Sequence, residues 1–277
     1  MRVFLCARGC PGPIAALLAS AGLAFAVALP ARATATGVEL EALTSTELQQ
    51  RIAAGTTTVL LPIGGTEQNG AHMALGKHNV RVRLLAERIA QQLGNAVVAP
   101  VLAYVPEGAI EPPTQHMRWP GTISIPVAAF ESLLEGAALS LHRHGLCHVV
   151  LLGDHGGYRT SLDRVAARVN RVWAAQGRCR VHALPEYYRA ATADYAQALR
   201  AGGHTAAEIG SHAGLADTSL MLALDPTQVR GDALAARPAA GVAGDPRQAT
   251  AELGRPGIEH IVQVTVAAVR AATQAGP

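Results

Sequence analysis

The feature that most constrains the fold is an apolar run, Thr57–Ile63, that stops at Gly64-Gly65 and is followed at once by polar residues. A run rich in Val, Leu and Thr that ends at paired glycines is typical of a buried strand. Ligand-binding groups in parallel sheets collect beyond the carboxyl ends of strands. The pattern therefore predicts a strand that opens onto a site, whose loop carries Glu67, Asn69, His72 and His78. The alternative is an ordinary solvated loop that holds two histidines.

The same arrangement recurs further along the chain. A second apolar run, His148–Leu152, leads into Gly153-Asp-His-Gly-Gly157, which carries Asp154 and His155. Further strands are expected at Ala96–Val105 and Arg180–Leu184. Helical periodicity predicts helices at Val80–Leu93, Val127–His144, Ser161–Gln176, Tyr187–Ala201 and Ile258–Ala275. This alternation predicts an α/β fold with a mostly parallel sheet covered by helices.

One long connection, Pro106–Pro126, is rich in Pro and Gly and contains Glu107, Glu111, His116 and Trp119. Loops of this length without regular structure are usually functional or disordered.

Residues 1–35 have the pattern of a secretory signal peptide. Arg2 and Arg8 precede an apolar run, and small residues occupy two overlapping cleavage sites that end at Ala33 and Ala35. We therefore expect the mature protein to be periplasmic or secreted, with no membrane contact after cleavage. The alternative is a retained anchor, which needs about 20 apolar residues.

The mature chain fits one domain, residues 36–277, because removing 35 of 277 residues leaves 242. Hydrophobic residues make up 49% and charged residues 16%, which is typical of a compact protein. The net charge of +3 includes no basic block, so nucleic acid is not an expected partner.

Cys147 and Cys179 are the two cysteines that remain after residue 35. Each opens a strand-like run, so the two side chains can lie at the same edge of neighbouring strands. A disulfide is one outcome. Adjacent parallel strands rarely offer the required geometry, however, so we expect the thiols to stay unpaired.

The His, Asp and Glu side chains of the strand-end loops are expected to meet on one face of the sheet, together with a segment that carries His212 and Asp217. Four ordered motifs then resemble the creatininase, or creatinine amidohydrolase, family: Leu61-Pro-Ile-Gly-Gly-Thr-Glu-Gln-Asn-Gly-Ala-His72, Trp119-Pro-Gly-Thr-Ile-Ser124, Gly153-Asp-His-Gly-Gly157 and His212-Ala-Gly-Leu-Ala-Asp-Thr-Ser-Leu-Met221. The resemblance implies a three-layer α/β/α fold and hydrolysis of a non-peptide, often cyclic, amide at a divalent-metal centre. It also implies a homo-oligomer, commonly a hexamer.

The resemblance assigns Glu67 and His155 to family metal ligands. The position of the family's bridging aspartate is His78 here, and its second histidine ligand is Asn69. An imidazole has one free lone pair and cannot bridge two metals, and Asn69 is a weak ligand. Creatininase itself has a carboxylate where this chain has Gly157, although other relatives also have glycine there. We therefore expect one metal per chain, bound by Glu67, His78 and His155, with zinc preferred and manganese or iron as alternatives.

The resemblance places His212 near the substrate and puts Asp217 where the family has a glutamate; both are the candidate catalytic residues. His72, His116, Asn69 and Asp154 are candidates for supporting the ligands or contacting substrate, and purely structural roles are the alternative for them. The remaining histidines after residue 35 are assigned to surface or strand packing: His142, His144, His148, His182, His204 and His260.

Two functional classes remain open. The first is an exported metal-dependent amidohydrolase, in which the metal polarises a small-molecule amide while His212 or Asp217 moves a proton to the leaving nitrogen. The second is a non-catalytic periplasmic binding or assembly protein on the same scaffold, whose metal site has decayed into a binding pocket.

Overall fold

A computed structural model describes residues 37–236 and 238–274. Four parallel strands form one sheet: β1 (Thr58–Ile63), β2 (Ala96–Val98), β3 (His148–Gly153) and β4 (Arg180–Ala183). Their order in the sheet is β2-β1-β3-β4. The strand that opens the site, β1, is therefore central, and its register pairs Ile63 with Gly153, which aligns the carboxyl ends of β1 and β3.

The strands alternate their side chains between two apolar cores, because successive residues of a strand point to opposite faces. One face contributes Leu60, Val98, Val150 and Leu152 to a core with the helices Lys77–Leu93 and Ala251–Gln274. The other contributes Val59, Leu61, Val149 and Leu151 to a core with the helices Val127–Arg143 and Arg159–Trp173. Helices thus cover both faces, which confirms the three-layer α/β/α architecture.

The helices, in chain order, are α1 (Ser45–Ala53), α2 (Lys77–Leu93), α3 (Val127–Arg143), α4 (Arg159–Trp173), α5 (Pro185–Arg189), α6 (Tyr195–Ala201), α7 (Ala206–Ile209), α8 (Leu215–Leu224), α9 (Gly231–Leu234) and α10 (Ala251–Gln274). A π-helical turn, Ala190–Asp194, joins α5 to α6. Helix α1 begins at a capping box in which the Thr44 hydroxyl accepts from the Glu47 N–H and the Glu47 carboxylate accepts from the Thr44 N–H.

Two predicted boundaries are wrong in ways that affect the site. Helix α2 begins at Lys77, three residues before the expected Val80, so His78 lies in its first turn. Strand β2 ends at Val98, because Pro100 has no N–H to continue the ladder. The chain returns to β1 only at Leu102, whose N–H donates to Pro62 O at 2.9 Å.

Helix α10 also begins earlier than expected, at Ala251, and its first turns pack closely on α8. Gly254 makes this approach feasible, since a Cβ at that position would lie 2.0 Å from Ser219 O. The packing fixes α8, the helix that carries Asp217.

The two cysteines form a disulfide, which corrects the expectation that they stay unpaired. Cys147 and Cys179 immediately precede β3 and β4, and their Cα atoms are 4.5 Å apart. The Arg180 N–H donates to Cys147 O at 3.0 Å, so the two strand ends are already paired where the bridge forms. The bridge lies at the amino end of the strands, opposite the end that carries the site.

The predicted signal peptide, residues 1–35, lies outside the described residues and stays a prediction. Within 37–236 and 238–274, no helix combines the length and apolar character that a bilayer span requires.

We expect the Cys147→Ser/Cys179→Ser variant to be about 2–4 kcal/mol less stable than wild type, because the bridge closes a loop with a sequence separation of 32. Urea unfolding monitored by circular dichroism measures the difference. Adding reductant to wild type should produce the same loss, and leave the variant unchanged. Equal unfolding midpoints for the oxidised wild type and the variant would contradict this expectation.

Candidate metal centre

The site lies at the carboxyl ends of the strands, where five segments of chain converge. The β1 loop supplies Glu67 and Gln68, the β3 loop Asp154 and His155, and the first turns of α2 supply Lys77, His78 and Arg81. The long loop after β2 contributes Glu107 and His116, and the turn before α8 contributes His212. All but His116 and His155 are buried.

Glu67 is at the centre of this cluster, and its two oxygens have different neighbours. Oε1 accepts from His78 Nε2 at 2.8 Å and lies 3.7 Å from Lys77 Nζ. Oε2 is buried and accepts no hydrogen bond from any described residue. Burial alone would raise the pKa of Glu67, but the hydrogen bond and charge of His78, together with Lys77, hold the pKa well below its usual range. The carboxylate is therefore ionised, with one oxygen uncommitted.

The uncommitted oxygen faces two imidazoles. His116 Nε2 lies 3.3 Å and His155 Nε2 3.6 Å from Glu67 Oε2. One donor atom from each of these three residues falls within 4.8 Å of the others. Burial lowers the pKa of His116, and burial followed by the charge of His78 lowers that of His155 to about 3. Neutral imidazoles around an orphaned carboxylate oxygen fit a divalent metal.

His78 has a different position from the one expected of a ligand. Its Nδ1 lies 2.6 Å from Asp154 Oδ2 and its Nε2 2.8 Å from Glu67 Oε1. Carboxylates only accept hydrogen bonds, so both ring nitrogens donate and neither offers a lone pair to a metal. The cause is the early start of α2, which fixes the ring between the β1 and β3 loops. The structure thus brings His116, rather than His78, to Glu67 and His155.

Two buried cations on α2 hold the surrounding carboxylates. Arg81 pairs with Asp154 and, at 2.6 Å, with Asp217 Oδ1, and Lys77 Nζ lies 2.8 Å from Asp217 Oδ2. Burial alone would raise the pKa of both aspartates, but Arg81 holds that of Asp154 low, and Lys77 and Arg81 hold that of Asp217 well below its usual range. Both Asp217 oxygens are committed to these pairs. In this arrangement Asp217 therefore has no free oxygen for the proton transfer that was expected of it.

His212 has a free nitrogen on the side of Glu67. Its Nε2 lies 2.8 Å from Gln68 O, which can only accept, so this nitrogen carries the hydrogen. Nδ1 keeps its lone pair and lies 3.5 Å from Glu67 Oε1. Burial, and then the charge of Lys77, lowers the pKa of His212 to about 4. His212 is thus a neutral base next to the metal ligands.

The turn that presents His212 has an unusual backbone. Ala213 has a φ of 53°, a region that non-glycine residues seldom adopt, and its N–H donates to Asp217 Oδ2 at 2.9 Å. The hydrogen bond joins the His212 turn to the ion pairs of Lys77 and Arg81. Asp217 therefore positions the candidate base.

Glu107 is a buried carboxylate that the sequence did not single out as a site residue. Its Oε2 lies 3.5 Å from His155 Nε2. Gly65 makes room for it, since a Cβ there would lie 2.5 Å from Glu107 Oε1 and the glycine φ is +148°. Burial, and after it the negative charge of Glu67, raises the pKa of Glu107 to about 9.

Two other predicted residues stabilise the loops. The Asn69 amide nitrogen donates to Glu67 O and Ala74 O, both at 3.0 Å, and so closes the β1 loop on itself. His72 Nε2 lies 3.1 Å from Thr218 Oγ1 and links this loop to α8. Among the six histidines assigned to packing, His148 and His182 contact each other at 3.2 Å, and His142 stacks on Trp173 with ring centroids 4.1 Å apart.

A cavity of about 350 Å³ opens onto the cluster, lined by Lys77, His78, Arg81, His116, Asp154, His155, Gly156, Tyr188, Thr192, Ser211, His212, Asp217, Gly241 and Ala243. A larger cavity of about 620 Å³ lies between α6 and α10, away from the carboxylates. The smaller one is the substrate site of choice, because the titratable cluster lines it and its volume suits a small molecule.

Comparison with known proteins agrees with this geometry. The profile of the creatinine amidohydrolase family matches residues 41–269. The chain belongs to the creatininase family. Members of this family are metal-dependent amidohydrolases, and the chain is an enzyme of that class.

Three relatives illustrate the family's range. A creatinine amidohydrolase from Pseudomonas putida is 30% identical over 203 residues, which cover 72% of this chain and 76% of the relative. A mycofactocin precursor peptide peptidase from Mycobacterium tuberculosis is 28% identical over 249 residues, covering 78% and 84%. A solved structure named "Creatininase Mn" is 27% identical, covers 86% of this chain and all of its own, and superposes with a TM-score of 0.73.

The sequence pattern did not identify four site residues of this creatininase-family chain: Lys77, Arg81, Gln68 and Glu107. Gln68 Nε2 donates to Gly241 O at 2.8 Å and lies 3.0 Å from His116 Nδ1, so it orients the His116 ring. The position of Gln68 next to Glu67 in the sequence was the signal that could have identified it as a site residue. Lys77 and Arg81 gave no such signal, because in sequence they are indistinguishable from solvent-facing helix residues.

We expect metal-free Glu107→Gln protein to gain stability relative to wild type as the pH rises from 5 to 8. The pKa of Glu107 is raised from 4.5 to about 9, so between these values the folded wild type binds a proton that the unfolded chain has released. Wild-type stability then falls by up to about 1.4 kcal/mol per pH unit, and glutamine does not titrate. Urea unfolding in the presence of a chelator measures both proteins at each pH.

The matched control is Glu111→Gln, which removes an exposed carboxylate from the same loop. Its stability difference from wild type should be small at every pH. A difference for Glu107→Gln that stays constant from pH 5 to 8 would show that this carboxyl does not titrate as described.

Proposed function

We propose that the chain is an exported amidohydrolase that uses one divalent metal, bound by Glu67, His116 and His155, to hydrolyse a small non-peptide amide, with cyclic amides as the first candidates. The observation that carries the proposal is the orphaned Glu67 Oε2, which faces two neutral imidazoles at 3.3 and 3.6 Å. His116 takes the third place that the sequence had given to His78.

A count of one metal is supported by the contacts of the other carboxylate oxygens. Glu67 Oε1 accepts from His78, and Asp154 and Asp217 are paired with Arg81 and Lys77. A second cation would have to displace a buried basic side chain from its partner. Zinc suits two imidazoles and a carboxylate, and manganese is the alternative, with iron less favoured by the comparison with a manganese creatininase.

The chemistry divides between the metal and His212. A bound divalent metal polarises an amide carbonyl and lowers the pKa of water to roughly 7. His212 Nδ1 has a free lone pair, and the pKa lowered to about 4 keeps the ring unprotonated, so this nitrogen is available to the proton of the attacking water. The same nitrogen then donates that proton to the leaving amide nitrogen. Asp217, Lys77 and Arg81 hold the His212 turn in place.

We expect wild-type protein to contain one metal per chain, and Glu67→Ala to contain none and to lose activity. His116→Ala should lose most of the metal, because it removes a ligand, whereas His212→Ala should keep the metal and lose turnover. Elemental analysis after dialysis gives the stoichiometry, and release of amine or carboxylate from a panel of cyclic amides gives the activity. The exposed His260 supplies a control, since His260→Ala should change neither quantity.

Two results would contradict the proposal. Metal-free wild type that is indistinguishable from Glu67→Ala would favour the non-catalytic binding or assembly protein. Two tightly held metals per wild-type chain would show that the assigned ligand set is incomplete. The panel includes short peptides, because one relative is named a peptide peptidase; cleavage of peptides alone would replace the proposed substrate class.

Export rests on two observations. Residues 1–35 have the charge, apolar run and small residues of a signal peptide. The Cys147–Cys179 bridge is of the kind that persists in oxidising compartments such as the periplasm. We expect N-terminal sequencing of the periplasmic or secreted protein to begin shortly after Ala33 or Ala35. An intact Met1 on a membrane-bound product would refute export.

We also propose that the chain forms a homo-oligomer, with a hexamer as the family expectation. Helix α3 exposes Val127, Leu133 and Leu139 by 42–45% each, and burial of such apolar side chains against a second chain would be stabilising. Light scattering at micromolar concentration should give a multiple of the chain mass. A monomer mass under these conditions would remove the proposal.

A further inference from the structure

Glu107 is the one buried carboxylate of the site that the proposed mechanism leaves without a role. It is 1% exposed, and neither of its oxygens accepts a hydrogen bond from a described residue. Buried carboxylates are rarely left in this state, because burial removes the hydrogen bonds that the group would make to water. Such a group calls for a partner that the protein itself does not supply.

The backbone holds Glu107 firmly in this position. Its N–H donates to Ser124 Oγ at 3.0 Å, and the same hydroxyl donates to Gly108 O at 2.7 Å. Gly65 leaves the space that the carboxylate occupies, since a Cβ there would lie 2.5 Å from Oε1. The side chain is therefore directed inward by both its own loop and the facing β1 loop.

The direction is toward the candidate metal ligands. Glu107 Oε2 lies 3.5 Å from His155 Nε2, the same nitrogen that lies 3.6 Å from Glu67 Oε2. Two carboxylates, one of them fully orphaned, thus converge on a single imidazole nitrogen. The three donor atoms that lie mutually within 4.8 Å are those of Glu67, His116 and His155. Glu107 lies beside this group, on its His155 side.

The other carboxylates of the site show what Glu107 lacks. Asp154 has Arg81, Asp217 has both Lys77 and Arg81, and Glu67 has His78 on one oxygen. The ion-pair contact of Glu107 within the described residues is with His155, whose imidazole is neutral. Within the described residues, no Lys or Arg lies at ion-pair distance from Glu107.

We propose that Glu107 is a ligand of the cation bound by Glu67, His116 and His155. The inference rests on the proposed metal site and adds a second carboxylate to it. Two carboxylates and two neutral imidazoles together balance the charge of one divalent cation. A set with two carboxylates also accommodates manganese more readily than three ligands with a single carboxylate do.

The experiment is isothermal titration calorimetry of Mn²⁺, and separately of Zn²⁺, into chelator-treated wild-type, Glu107→Gln, Glu107→Ala and Glu111→Gln proteins. We expect one site per chain in all four. Both Glu107 variants should weaken the Kd more than about 100-fold, beyond the 10–100-fold loss that removal of a group outside the ligand set causes. Glu111→Gln, an exposed acid in the same loop, should bind as wild type.

The outcomes separate this inference from the function on which it rests. Wild-type affinity in both Glu107 variants overturns the role of Glu107 and leaves the metal site intact. Failure of wild type itself to bind either metal overturns both. Circular dichroism of each metal-free variant checks the fold; removal of an unpaired buried carboxylate should not unfold the chain, and the alanine variant provides the comparison should glutamine do so.

Discussion

Three basic side chains in the first turns of α2 determine how the loops of this site are arranged. Lys77, His78 and Arg81 lie at the helix N-terminus, where the helix dipole disfavours positive charge. Each is stabilised instead by carboxylates from other segments: Glu67 after β1, Asp154 after β3 and Asp217 in α8. Because the pairs are buried, loss of one partner would leave an uncompensated charge, at a cost of about 3–5 kcal/mol. The network therefore joins the β1 loop, the β3 loop and helix α8 through the start of α2.

This network also decides which atoms remain for chemistry. Glu67 is held through Oε1, which leaves Oε2 directed at His116 and His155. Asp217 is held through both oxygens, and it orients the His212 turn through Ala213. His212 Nδ1 accepts no hydrogen bond from a described residue and lies 3.5 Å from Glu67 Oε1. The division between structural and chemical groups follows from which oxygens the α2 cations occupy.

The strands and part of the site could be predicted because strand periodicity and terminal glycines are local signals. They correctly located the strand ends that present Glu67, Asp154 and His155. The start of α2, which carries His78, was misplaced because it has no side-chain cap and its apolar periodicity begins only at Val80. Lys77 and Arg81 lie on the same helix, and nothing in the sequence around them indicates that they are buried. Their environment is set by the opposing carboxylates, which are distant in sequence.

The positions of the irregular-loop residues and the presence of the disulfide could not be predicted without the three-dimensional path of the chain. Glu107 and His116 belong to a connection without strand or helix periodicity, so no pattern indicates where their side chains point. The Cys147–Cys179 bridge depends on a Cα separation of 4.5 Å between two neighbouring strand ends. Neighbouring strands lie about 4.7–4.9 Å apart, so the observed pairing of β3 with β4 is what brings the two cysteines to this separation.

The proposed single metal has a physical explanation in the exchange of groups at the start of α2. The family resemblance places a bridging aspartate at the position of His78, and here the neighbouring Lys77 is buried as well, with Nζ 3.7 Å from Glu67 Oε1. Replacing a carboxylate by an imidazole that donates to two carboxylates removes negative charge, and the ammonium group adds positive charge. Together these changes add nearly as much positive charge as one divalent cation carries. The added charge belongs to side chains, so it needs no bound metal. The remaining cation then depends on Glu67 Oε2 and on carboxylates outside the network, and Glu107 is the buried carboxylate that α2 leaves unpaired.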